Sequence, residues 1–432
     1  MLDVSLIRRN QSMITQFRVQ NYKALRDVTL DLTPVHVLIG PNDSGKTSLL
    51  EALAALCRSV THPLSTAFLG SWTGTELVSV GAGEVVCMEV DCNDPLPLNY
   101  RLRIEFHRGD KTVRILEEQI SRGADVATFE SNIDQTGLCS NQTATLAEDV
   151  KPDEITRTER RQRTLNRLVN PRVEDAIKDQ ISRVAFHRWD ARFLALPVAA
   201  DSKRKFRMEH NGFGLALCLD NLLGVDRDRF VALETKLREI FPRVNRLVLL
   251  PESAYSAPVD EPSLVPMLQY GEGKGLYVEF DNNLRIPIAQ CSDGLVLVLA
   301  FLAVLHLPEP PRVLLIEEPE NGIHPARLKE IIRILKQLVS EQSHTQVLMT
   351  THSPYVLHEF TPEEVTVCVR EKNGEVKTRR LSESKAVQEQ MDFFSLGEIW
   401  TMEGDEALIQ PATDENLDEA TPAPPTEVQP AP

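Results

Sequence analysis

The stretch that most restricts this chain is VHVLIGPNDSGKTSLLEAL, residues 35 to 53. Its opening, VHVLIG, is mostly apolar and reads as a buried strand running into a loop. Beyond the loop, Leu49, Leu50, Leu53 and Leu56 fall at helical spacing. Between strand and helix stands GPNDSGKT, Gly40 to Thr47, which fits the G-x-x-x-x-G-K-[ST] pattern. Glycines let backbone N–H groups converge on an anion, and the helix N-terminus adds a favourable field. The stretch therefore predicts a phosphate-binding loop made of Gly40, Pro41, Asn42, Asp43, Ser44, Gly45, Lys46, Thr47 and Ser48. In such a loop Lys46 reaches the β and γ phosphates of ATP, and the Thr47 hydroxyl ligates Mg²⁺.

A second run, RVLLI, ends on Glu317, Glu318 and Pro319. Carboxylates at the end of a buried strand are costly unless paired or bound to metal. Downstream of a phosphate loop they read as a Walker B strand. Glu317 would hold Mg²⁺ through a water, and Glu318 would polarise the attacking water as general base. The next strand, TQVLMTT, runs into His352, Ser353 and Pro354. His352 is placed to hydrogen-bond the transferring phosphoryl group, as a neutral donor or when protonated.

The rest of the chain sets limits on function. With 432 residues it can bury a sizeable core, and a net charge of −16 argues against a uniformly basic nucleic-acid binder. The run LVLVLAFLAVL, 295 to 305, is too short to span a bilayer, and residues 1 to 12 lack a signal-peptide core. Seven scattered cysteines without a CxxC pair fit reduced thiols. These features predict a cytoplasmic chain with no membrane partner. Period-two runs at 86–90 and 98–106 predict antiparallel strands, and LYVEFDNNLRIPIAQ, 276 to 290, predicts a hairpin turning on DNN. Strand and helix alternating after residue 290, with Pro325 opening one helix, predict a mostly parallel sheet. Eight acidic residues lie in the last thirty positions, and the Pro-rich end is expected to be disordered. We place an extension at 1–12, one folded body at 13–400 and a tail at 401–432. The body divides into 13–110, a partly helical middle segment 111–275, and 276–400.

Taken together, FRVQNYKALRDVTLDL, VLIGPNDSGKTSLLEAL, CSDGLVLVLAFL, LLIEEPENGIHP and TTHSP resemble the ABC-type ATPase heads of the RecF/SMC-like superfamily, most of all its OLD-like group. The resemblance spans most of residues 14 to 400. It implies an α/β P-loop NTPase fold with a β-rich mixed or antiparallel lobe, a parallel-sheet lobe and a helical insertion. It also implies ATP and Mg²⁺ as ligands, and a homodimer in which two heads sandwich two nucleotides. By position Ser292, Asp293 and Gly294 resemble the signature loop that completes the partner's site, and Asn321 to Pro325 the loop that touches the partner head. Lys23 stands where related heads carry a basic residue near the nucleotide. For the glutamine that bridges Mg²⁺ and water in such heads, Gln119 and Gln135 are the candidates. The long coiled-coil arms of SMC-like relatives are missing, and no room is seen for a TOPRIM nuclease, so no intrinsic nuclease activity is expected. The resemblance leaves three readings of what ATP turnover serves. One is DNA binding in repair or maintenance through the arginine-rich stretch 157–172, with Arg160, Arg161 and Arg163. Another is control of a separate effector nuclease in anti-phage defence. The third is a nucleotide-gated scaffold with little turnover.

Overall fold

The three central strands of the parallel sheet, Val35–Ile39, Val313–Glu317 and Gln346–Thr350, are buried at every residue. That is why they read as unbroken apolar runs: both faces of such a sheet are covered. These strands belong to a computed structural model that describes residues 13–62, 64–69, 77–81, 83, 85–93, 97–106, 113–123, 125–130, 132–133, 139–140, 177–257, 266–341 and 345–412. The extension 1–12, the arginine-rich stretch 157–172, Gln135 and the last twenty residues of the acidic tail lie outside the described residues.

The strand order is Val184–His187, Val313–Glu317, Gln346–Thr350, Val35–Ile39, Val365–Arg370 and Val376–Arg380. The first five run parallel, and the last pairs antiparallel at the edge. A second six-stranded sheet is antiparallel: Leu25–Asp31, Met13–Tyr22, Val85–Asn93, Leu98–Phe106, Val113–Arg122 and Asp125–Glu130. Its inner rows include Phe17, Val19, Val86, Met88, Val90, Tyr100 and Leu102. The helix Lys46–Ser59 lies between the sheets. Its Leu49, Leu50, Leu53 and Leu56 share one core with those rows and with Leu38, Leu315 and Leu348. The opposite face of the parallel sheet, with Val37, Ile39, Leu314 and Ile316, packs under the helices Asp293–Leu305 and Pro325–Glu341.

Several boundaries move. The antiparallel sheet continues past residue 110 to Glu130. The middle segment supplies helices Leu215–Val225 and Arg227–Ile240, followed by a long strand, Val244–Ser256. That strand pairs along most of Met267–Phe280, so the hairpin seen in the sequence is only the end of a longer ribbon. Its DNN turn holds, with Asn283 at a φ of 59°.

The expected tail boundary at 401 is corrected. Helix Leu396–Leu408 crosses it, started by a capping box in which Ser395 and Glu398 satisfy each other's end. Leu408 is fully buried, and Gly404, at a φ of 75°, bends the helix so that Trp400 Nε1 donates to Asp405 Oδ1 at 2.8 Å. Composition misled here because Glu398, Glu403 and Glu406 face solvent while single apolar side chains anchor the helix. Leu408→Ala is expected to cost about 2–5 kcal/mol of stability, measured by urea unfolding. An unchanged midpoint would return the segment to the tail.

The parallel sheet also buries His36, whose ring nitrogens contact Thr33 Oγ1 at 3.1 Å and Thr366 Oγ1 at 2.9 Å. Burial pushes its pKa down to about 3, and does the same to His187. The unfolded chain takes up protons at these residues below about pH 6.5 while the folded chain does not, so stability falls as pH falls. His36→Gln should reduce that slope by about 1.4 kcal/mol per pH unit between pH 6 and 4. Equal slopes for the two proteins in urea titrations would contradict it.

Candidate nucleotide site

Three loops leave the C-terminal edge of the parallel sheet, where ligands bind in open α/β folds. The first is the phosphate loop. Gly40 has a φ of 136°, and a Cβ there would lie 2.0 Å from Cys368 O, so only glycine fits. Gly45 has a φ of 88°, with Val376 Cγ2 at 2.8 Å from where a Cβ would be. Asp43 also takes the left-handed conformation, with a φ of 64°. Lys46 Nζ sits inside the loop, donating to Gly40 O at 2.8 Å, Pro41 O at 2.7 Å and Ser44 Oγ at 3.2 Å. Burial lowers its pKa, which the nearby carboxylates Asp405, Glu318 and Glu317 partly oppose. Pro41, Asn42, Asp43 and Thr47 are exposed, and Ser48 is half-buried.

The second loop follows the Walker B strand. Glu317 is buried, and burial raises its pKa. The nearby Thr47 hydroxyl works in the other direction. A buried carboxylate beside a hydroxyl, both hard oxygen donors, fits Mg²⁺ shared with phosphate oxygens. Glu318 turns the chain sharply at a φ of 47°, strained for a residue with a Cβ. Its N–H is tied to Thr350 O at 3.1 Å, so the turn is anchored to the next strand. Asn321 Nδ2 donates to Glu318 Oε2 at 2.5 Å.

The third loop carries His352, whose Nε2 lies 3.4 Å from Glu318 Oε1. Burial and the Lys46 charge lower the His352 pKa, so at neutral pH the ring is uncharged and can donate one N–H. Glu320, to which the sequence reading gave no role, holds this loop. Its Oε1 accepts from Thr351 Oγ1 at 2.8 Å and from His352 N at 2.7 Å.

Two further residues escaped the sequence. Arg188 Nη2 is 3.4 Å from Glu318 Oε2, and nothing local in HRWD marks it. Asp405, taken as part of the tail, acts electrostatically on both Lys46 and His352. Gln119 does not meet Glu318: it sits in the antiparallel sheet, opposite Arg101 and Thr128, and Arg188 is the side chain found at the base. Lys23 forms an ion pair with Glu51 of the phosphate-loop helix. Ser292 and Asp293 are exposed at the start of helix Asp293–Leu305, and the Ser292 hydroxyl does not cap that helix. Asp293 lies against Gly322, so the signature-like residues and the loop after Walker B share one surface.

A parallel sheet with a phosphate loop, an acidic strand end on the next strand but one and a flanking antiparallel sheet defines an α/β P-loop domain. Residues 35–358, which is 324 of 432, match a family described as AAA domain, putative AbiEii toxin, Type IV TA system, and the chain belongs to that family. No curated protein matches it. Among solved structures it is similar to an Smc head bound to the C-winged helix domain of ScpA, at 14% identity and a TM-score of 0.48, covering 87% of this chain and 99% of that one. An Smc head with an extended coiled coil bound to the C-terminal domain of ScpA, derived from Pyrococcus furiosus, gives 12% and 0.48, covering 88% and 100%. The SMC head domain from Thermotoga maritima gives 9% and 0.41, covering 85% and 98%. Among the described residues no helix is long and apolar enough to cross a membrane.

Proposed function

We propose that the chain binds ATP with Mg²⁺ and hydrolyses it, two copies closing over two nucleotides. The observation that carries this is the meeting of Glu318, His352 and Asn321 beside the Thr47–Glu317 pair. Lys46 and the loop N–H groups hold the phosphates, and Thr47 and Glu317 hold Mg²⁺, which supplies charge neutralisation to the phosphoryl oxygens. Glu318 takes the proton of the attacking water, and the neutral His352 ring donates to the phosphoryl group. Ser292, Asp293 and Gly294, of which Ser292 and Asp293 are exposed and Asp293 lies against Gly322, are the residues we assign to the partner's nucleotide, as in a head dimer.

Beside the nucleotide-gated scaffold, the purpose has two readings, DNA maintenance and control of an effector protein. The net charge of −16 disfavours a broad electrostatic hold on DNA, and the family's description as a putative toxin favours a protein-directed role. The test measures ATP turnover by the purified chain with and without DNA, alongside its size with ATP. Turnover that requires Glu318, and a dimer that forms only with ATP, support the proposal. A monomer at all nucleotide concentrations would sink the sandwich, and DNA-stimulated turnover would favour the maintenance role.

A further inference from the structure

Arg188 follows the strand Val184–His187, which runs parallel to Val313–Glu317 with His187 opposite Ile316. The two neighbouring strands therefore deliver Arg188 and the glutamate pair to the same edge of the sheet. The backbone at this point is pinned on both sides. Arg188 N donates to His210 O at 2.8 Å, and Asp190 N to Asn211 O at 3.1 Å. Between them Trp189 packs edge-on against Phe301, with ring centroids 4.6 Å apart, on the helix that begins at Asp293. The guanidinium itself is free to move, its side chain being 55% exposed.

The carboxylate it meets is crowded with donors. Glu318 Oε2 faces Asn321 Nδ2 at 2.5 Å and Arg188 Nη2 at 3.4 Å, and Oε1 faces His352 Nε2 at 3.4 Å. Of these three donors only the guanidinium carries a permanent charge. A general base needs a lone pair turned toward water, and a cation resting on it makes it a poorer base. A long, half-exposed ion pair is weak and readily exchanged. A phosphoryl group offers more charge and more acceptor oxygens than one carboxylate oxygen, and the guanidinium fork matches it. Lys46, which the same carboxylates influence, would bring that group to this edge.

We propose that Arg188 alternates between two anions, resting on Glu318 and moving to the γ-phosphate of bound ATP, which frees the base for water as the same charge reaches the reacting group. The inference rests on the reading above that the chain hydrolyses ATP with Glu318 as base. It adds an arginine supplied by the same chain and tied, through Trp189 and Phe301, to the helix bearing the signature-like residues. Because ADP has no γ-phosphate, Arg188 should also contribute to telling ATP from ADP.

The test uses the full chain and the variants Arg188→Ala, Arg188→Lys and Glu318→Gln. Arg188→Ala is expected to lower kcat about 100-fold and to raise KM for ATP by up to about tenfold. Its preference for a non-hydrolysable ATP analogue over ADP should fall about tenfold, and Arg188→Lys should recover part of both, since it keeps the charge without the fork. Arg188→Ala with wild-type kcat and unchanged nucleotide preference would overturn the inference, as would equal losses of ATP and ADP binding with a lowered melting temperature and no rescue by lysine. Wild-type turnover by Glu318→Gln would instead remove the underlying base assignment. An inactive Glu318→Gln beside a fully active Arg188→Ala would remove only the role of Arg188.

Discussion

Glu318→Gln is expected to lower ATP turnover by about 10²–10⁴-fold while leaving nucleotide affinity within a few-fold of wild type. The two side chains have the same length and shape, so the substituted amide keeps an oxygen for Asn321 Nδ2, which contacts Glu318 Oε2 at 2.5 Å. It cannot accept a proton from water; with its oxygen at the Oε2 position, which Arg188 also faces, its amide N–H₂ falls at the Oε1 position opposite His352. Lys46, Thr47 and Glu317, the residues proposed to hold the phosphates and Mg²⁺, are untouched. The ATP-bound dimer should therefore persist, and sedimentation or size-exclusion measurements with ATP should show the variant as a long-lived dimer where wild type returns to monomer. If both turnover and dimer lifetime match wild type, the chain works as a nucleotide-gated scaffold and Glu318 is not its base.

Gly40→Ala has the second large effect, and the reason is steric rather than chemical. At a φ of 136° an alanine is strained in any surroundings, and its methyl would lie 2.0 Å from Cys368 O in a buried strand. The carbonyl cannot step aside without moving Val365–Arg370, which pairs with the phosphate-loop strand itself. Strain and overpacking together should cost about 2–6 kcal/mol. The loop that relieves them no longer converges on phosphate, so ATP affinity should fall by more than about 100-fold. Gly224→Ala is the matched control. A Cβ there meets nothing within 4 Å, so the change should stay within about 1 kcal/mol of wild type. Urea unfolding and fluorescent-nucleotide binding measure both effects. A stable Gly40→Ala protein with full affinity would mean that the loop does not lie against Cys368.

Much of the site was legible because its parts are local. A phosphate loop needs glycine at fixed offsets, a lysine, a hydroxyl, a strand before it and a helix after it, all within a few residues. The strand-end glutamates and His352 were legible for a related reason: central parallel strands bury both faces, so polar residues at their ends stand out against apolar runs. The parallel sheet followed from the alternation of strand and helix, and the fuller fold class from the resemblance. By contrast the acidic helix 396–408 looked like tail because composition averages over residues, whereas its attachment depends on Leu408, the Ser395–Glu398 cap and the Gly404 bend. The ribbon of Val244–Ser256 with Met267–Phe280 was shortened for a comparable reason, since pairing between distant strands leaves only weak alternation in either one.

The sequence alone determined where the phosphate-loop pattern lies and which two acids end the strand next but one in the sheet, because those features are set by residue type and short spacing. Which side chains surround the base was decided only by the tertiary structure. Arg188 lies 130 residues before Glu318 in the chain, and strand order alone sets them side by side. Asp405 reaches Lys46 and His352 through a helix whose course depends on one left-handed glycine. Charge acts through space over a few ångströms, and that separation is set by how the sheet is ordered rather than by distance along the chain.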